Sequence, residues 1–158
     1  MDSISRRVSG PELAALVGQE VGVSSWTLVD QPRIDAFADV TEDWQIIHVD
    51  PHRAKATPFG GTIAHGFLVL SLLPKMAYEA TPKVEGIQVA VNYGFDKIRF
   101  LTPVKSGQRV RGRFKLAEAT EKDAGRWLVR YTVTVEIEDG QRTALIADWL
   151  GLQIVAAG

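Results

Sequence analysis

The sequence of 158 residues predicts an α+β fold in which a long antiparallel sheet wraps a central apolar helix. Three observations lead there. A helical stretch over about 66–80, carrying Phe67, Leu68, Val69, Leu70, Leu72 and Leu73, is apolar all the way round in its first two turns, so it must be enclosed. After Pro82 the texture changes to β-branched or alternating runs. Turn signals separate those runs at spacings that suit antiparallel hairpins.

Each element has a local reason. Residues 13–18 suit a short helix and 19–27 a first extended segment. Asp30 can cap a helix opened by Gln31-Pro32-Arg33, with Ile34, Phe37, Ala38 and Thr41 on one face and Asp43 just past its end. Asp50-Pro51 supplies an N-cap and a first-turn proline for another short helix. Pro74 cannot donate to the Leu70 carbonyl, a defect of about 3 kcal/mol or more inside a helix, so a kink is expected over 71–74. Strands are expected at 87–91, 97–100, 108–116, 126–137 and 143–154, with turns at Ser106-Gly107, Asp123-Ala124-Gly125 and Asp139-Gly140.

Composition narrows the function classes. With 46% hydrophobic residues, 23% charged residues and no linker, repeat or charge block, residues 1–158 read as one domain. A net charge of -1 lacks the basic field that nucleic-acid binding needs. Without cysteine there are no disulfides, thiolate nucleophiles or Cys-ligated metals, and three His in no paired ligand spacing match zinc poorly. Gly60-Gly61 lacks the spacing of a nucleotide-binding fingerprint, and no cofactor is expected. The start lacks a signal-peptide pattern and the run 67–73 is too short to span a bilayer, so a cytoplasmic protein without membrane contact is the expectation.

The chemistry concentrates in Thr41-Glu42-Asp43-Trp44-Gln45-Ile46-Ile47-His48-Val49-Asp50-Pro51 and in Ile63-Ala64-His65-Gly66. Side chains five apart diverge by roughly 140° on a helix and oppose each other on a strand, so Asp43 and His48 can meet only on irregular backbone. The turn between the two expected helices provides it.

These two blocks, in this order, resemble the hydratase motif of the MaoC-like (R)-specific enoyl-CoA hydratases and dehydratases. Val91-Asn92-Tyr93-Gly94-Phe95-Asp96-Lys97-Ile98-Arg99-Phe100 with Pro103-Val104 looks like the strand after the central helix in the NodN-like branch. The resemblance runs from about Gly18 to the C-terminus. Many members carry Asn-Pro where this chain has Gln45-Ile46, and Gly where it has Glu42. The resemblance implies a hot dog fold, a homodimer joined through its sheets with active sites near the interface, and acyl-thioester substrates that bring coenzyme A with them.

It also implies roles. Hydration of an enoyl thioester needs a base for water, an acid for the α-carbon and donors for the thioester oxygen. By resemblance Asp43 and His48 hold and activate the water. His48 is expected to take its proton, while Asp43 orients the water and relays the other proton. Gly66, at a helix N-terminus, is the candidate oxyanion donor; its alternative is to permit tight helix–sheet packing. Ser71 either lies near the thioester or bonds back to the Phe67 carbonyl. His65 is expected to make a structural hydrogen bond and His52 to be exposed. Lys97, Arg99 and Lys105 are not assigned to the coenzyme phosphates. The function expected is hydration of trans-2-enoyl-CoA to (R)-3-hydroxyacyl-CoA. Dehydration on carrier-protein thioesters, thioester hydrolysis and noncatalytic acyl-thioester binding are the alternatives.

Overall fold

The computed structural model describes residues 6–138 and 140–156. Strand β1 (Arg7–Val8) leads into helix α1 (Gly10–Ala15), which starts earlier than its apolar pattern suggests. The reason is a capping box: the Ser9 hydroxyl accepts from the Glu12 amide, and the Glu12 carboxylate accepts from the Ser9 amide at 2.7 Å. The extended segment expected next is two strands, β2 (Glu20–Val23) and β3 (Thr27–Val29). Between them Ser24 is pinned to Gly112, its amide donating to the Gly112 carbonyl at 2.9 Å and its hydroxyl accepting from the Gly112 amide at 3.0 Å.

Helix α2 (Gln31–Thr41) starts at the expected cap, with Asp30 Oδ1 accepting from the Arg33 amide at 3.2 Å. It ends on Glu42 in left-handed backbone, φ 60°, so that the Glu42 and Asp43 amides both return to the Ala38 carbonyl. Next comes a single turn, α3 (Ile46–Val49), which the sequence does not announce, and then α4 (Pro51–Ala54) on its Asp50 cap. The apolar helix is divided into α5 (Gly66–Ser71) and α6 (Leu73–Ala80), and the break at Leu72 lies in the stretch where Pro74 predicts a kink.

Strand β4 (Lys83–Val84) pairs in parallel with β1. The remaining strands are β5 (Ile87–Phe100), β6 (Gln108–Asp123), β7 (Arg126–Ile137) and β8 (Thr143–Val155). Two separate strands were expected over 87–100. The structure corrects this to one, because pairing with β8 continues through register shifts at Asn92/Gly94 and Phe95/Lys97 that absorb the irregular residues. The turns at Gly107 and Gly125 hold positive φ, as glycine allows; Asp139 of the third expected turn lies outside the described residues.

The main sheet runs β2-β6-β7-β8-β5, and β3 also pairs with β6. Its inward positions alternate strictly along β7, where Val129, Tyr131, Val133, Val135 and Ile137 are buried. Against them pack Leu68, Val69, Leu73 and Met76 of the helix. Full burial of Leu73 and Met76 stabilises the packing by about 1.5–3 kcal/mol each. The helix comes so close that a Cβ at Gly112 would sit 3.2 Å from the Met76 sulfur.

Enclosure of the helix is incomplete in the single chain. Phe67 remains 66% exposed, because the sheet covers one side only. On that open side β5 forms the sheet edge, with Val89, Val91 and Tyr93 exposed.

Glu42 should be replaceable with profit. Left-handed backbone costs an L-residue about 1–2 kcal/mol, offset by roughly 0.5–1 kcal/mol of extra glycine freedom in the unfolded chain. Glu42→Gly is therefore expected to raise the urea midpoint at unchanged slope, and a lower midpoint would contradict that account.

Candidate active site

Two segments converge here, one after α2 and one before α5. The end of α2 delivers Asp43 with its side chain half exposed, and its Oδ1 accepts from the Gln45 amide at 3.4 Å. Three residues further on, the turn α3 buries the His48 ring. His48 lies inside this turn rather than on the irregular loop that its spacing suggested, and Asp43 alone is on irregular backbone. That is sufficient for the two to meet, since Asp43 is not bound by the helical spacing.

The second segment supplies the partners. His48 Nδ1 lies 2.7 Å from the Ile63 carbonyl oxygen. A carbonyl only accepts, so Nδ1 carries the hydrogen and Nε2 keeps a free lone pair. Burial lowers the His48 pKa; the bond to Ile63 opposes this, the neighbouring His65 adds to the lowering, and Asp43 opposes it. The ring is thus neutral and basic at Nε2 near neutral pH.

His65 takes a larger part than the sequence suggested. Its ring is buried and stacks on His48, with centroids 3.8 Å apart and planes at 24°. Its Nε2 donates to the Asp43 backbone carbonyl at 3.0 Å and lies 4.0 Å from Asp43 Oδ2. The expected structural hydrogen bond therefore falls on the catalytic candidate itself. The only sequence signal was position: an imidazole immediately before a glycine that opens a helix.

Asp43, His48, His65 and Gly66 share a cleft of about 360 Å³ whose apolar walls include Phe67 and Phe100. Such a size falls in the range of small-molecule sites. Gly66 begins α5, and a Cβ there would lie 3.0 Å from the Phe100 ring, so the glycine also permits close helix–sheet packing. Ser71 does not join them. Its hydroxyl donates to the Phe67 carbonyl at 2.7 Å, and it lines a neighbouring groove with Pro74 and Trp149. His52 is exposed on α4, as expected.

Among the described residues, Asp43, His48 and His65 could each offer a metal-ligand atom, all within 4.8 Å of one another. The second nitrogen of His48, without a hydrogen when the ring is neutral, also leaves that residue able to take a proton.

An acid and a neutral imidazole line an apolar cleft beside an antiparallel sheet packed on a central helix, and that architecture is the hot dog fold. The chain belongs to the MaoC-like dehydratase family, whose MaoC like domain matches residues 12–141. Within it the chain is NodN-like: it is 48% identical over 146 residues to nodulation protein N of Rhizobium meliloti (strain 1021), covering 92% of this chain and 91% of that protein. It is 45% identical over 139 residues to 3-hydroxyacyl-thioester dehydratase Z of Mycobacterium tuberculosis (strain ATCC 25618 / H37Rv), covering 87% and 90%. Among solved structures, a monoamine oxidase regulatory protein from Archaeoglobus matches with a TM-score of 0.79 at 26% identity, covering 98% of this chain and 99% of that one. No helix among the described residues is long and apolar enough to cross a membrane.

The lowered His48 pKa has a thermodynamic consequence. A group held below its unfolded value binds its proton more readily when unfolded, so its contribution is complete above about pH 6.5 and is lost as pH falls toward the folded pKa. Urea unfolding from pH 8 to pH 5 is expected to show this decline in wild type and a shallower one in His48→Gln; equal declines would contradict it.

Proposed function

We propose that the protein is an (R)-specific enoyl-CoA hydratase, interconverting trans-2-enoyl-CoA and (R)-3-hydroxyacyl-CoA. The observation that carries this reading is the His48 tautomer, with Nδ1 held on a carbonyl so that Nε2 keeps its lone pair, in a residue that shares the cleft with Asp43 and has a ring nitrogen within 4.8 Å of the Asp43 carboxylate. In the proposed reaction a water held by Asp43 gives a proton to His48 Nε2. Its oxygen bonds to the β-carbon, and the π electrons move toward the thioester oxygen. The enolate is then protonated at the α-carbon. Net addition moves one proton only, so the one that His48 takes is the one delivered, directly or through the Asp43 carboxyl. Oxygen and hydrogen reach the same face because both come from this side.

Gly66 is the proposed oxyanion donor, since the first amides of a helix lack intrahelical partners and carry partial positive charge. Ser71, bonded to Phe67, is given no chemical part. Coenzyme A enters as part of the substrate, and no other cofactor is proposed. Dehydration of a 3-hydroxyacyl thioester is the same reaction reversed, and the name of the mycobacterial relative favours carrying that direction too. Comparing CoA with carrier-protein thioesters distinguishes the two carriers.

We also propose a homodimer joined along β5. A 14-residue edge strand with exposed Val89, Val91 and Tyr93 is an unprotected pairing surface, and a second copy there would cover the open side of the helix. Sedimentation is expected to give twice the chain mass; a monomer would refute it.

Loss of enoyl absorbance with crotonyl-CoA and longer enoyl-CoAs, with analysis of the product's configuration, tests the activity. Asp43→Asn and His48→Ala should each lower turnover by about 10²-fold or more, and Ser71→Ala by less than about threefold. Binding without turnover in wild type would leave a noncatalytic thioester-binding protein instead, and release of free thiol would indicate a thioesterase.

A further inference from the structure

The cleft explains what His48 does once it is held, but a one-turn helix cannot hold it. A segment as short as α3 gains little from its own hydrogen bonds against the entropy of forming them. Its last carbonyls, His48 among them, also lack helical partners.

Gln31, the first residue of α2, meets both needs. Its Nε2 donates to the His48 carbonyl at 2.7 Å and to Asp35 Oδ1 at 2.8 Å, while its Oε1 accepts from the Thr62 hydroxyl at 2.6 Å. The amide orientation is thereby fixed. Turned over, its oxygen would face the His48 carbonyl and the Asp35 carboxylate, both of which only accept. Thr62 directly precedes Ile63, whose carbonyl holds His48 Nδ1 and whose amide donates to the Ile47 carbonyl at 2.9 Å. One side chain therefore ties the backbone of the base to the segment that fixes its ring. The same helix carries Asp43 past its other end, so Gln31 refers both candidate catalytic groups to one rigid element.

We propose that Gln31 is a positioning residue for the hydration, clamping the α3 turn and the Thr62-Ile63 segment so that His48 Nε2 stays aligned on the water. This rests on the hydratase reading of the site. The clamp acts through geometry rather than substrate contact, so its loss should appear in kcat rather than KM, as misplacement by as little as 1 Å can cost about 10²-fold.

The geometry also supplies a rescue. Ile46 opens α3, where the helix needs no amide donor, and Gln45 at φ -57°, ψ 137° already has the extended backbone that a following proline demands. Ile46→Pro should stiffen the turn by a route independent of Gln31.

The test uses the full chain with an enoyl-CoA substrate. Gln31→Ala is expected to lower kcat about tenfold with KM within about twofold, and Thr62→Val to lower it in the same sense. Gln31→Glu, which sets an acceptor against the His48 carbonyl, should be at least as impaired. Adding Ile46→Pro to Gln31→Ala should restore kcat by about threefold or more. The His48 Nδ1 proton, followed by NMR, should broaden in Gln31→Ala and sharpen again in the double variant. Wild-type kcat in Gln31→Ala, a loss confined to KM, or no rescue by proline overturns the proposal. If wild type hydrates no enoyl-CoA, the functional reading fails, and the Nδ1 signal decides the clamp: an unchanged signal in folded Gln31→Ala overturns it.

Discussion

The 2.7 Å bond from His48 Nδ1 to the Ile63 carbonyl is the constraint on which the site depends. It fixes the tautomer, leaves the Nε2 lone pair free and gives a buried polar ring the partner without which burial would be costly. Its acceptor is itself held by the sheet end of the molecule. Ile63 bridges Lys105, the Ala64 amide donates to the Val104 carbonyl at 2.7 Å, and the Ser106 amide donates to the Thr62 carbonyl at 3.1 Å. The connection between β5 and β6 thus aligns the residue that aligns the base.

The central helix extends the same logic. Its burial against β6, β7 and β8 fixes where α5 begins, and therefore where Gly66 and His65 stand. His65 then faces two ways, stacking on His48 and donating to the Asp43 backbone. Two forces act on His48 in opposite senses: burial and the neighbouring imidazole disfavour the cation, while the carbonyl and Asp43 favour it. Burial prevails, leaving a ring that is neutral at rest and has an acidic neighbour to support it when it takes a proton.

Much of this was legible locally. Asp30 before Gln31-Pro32, Asp50 before Pro51 and the proline break near Leu72 are signals within one turn of chain, and each falls where the sequence puts it. Strand 126–137 matches throughout, because strict alternation marks a half-buried strand. What escaped was tertiary. Nothing in Gln45-Ile46-Ile47-His48 distinguishes one helical turn from a loop; it is stabilised by Gln31 and Ile63, far away in sequence. The continuity of β5 across Gly94 and Asp96 comes from its ladder with β8, which local texture cannot report. Asp43, His48 and Gly66 meet in one cleft as their motif suggested, whereas Ser71 points its hydroxyl back into its own helix.

The chemistry rests on which nitrogen of His48 carries the proton. Nitrogen-15 NMR of imidazole-labelled protein near neutral pH measures this directly, with His48→Gln to assign the signal. A protonated Nδ1 with an unprotonated Nε2 is the predicted result; a proton on Nε2, or a doubly protonated ring, would contradict the account.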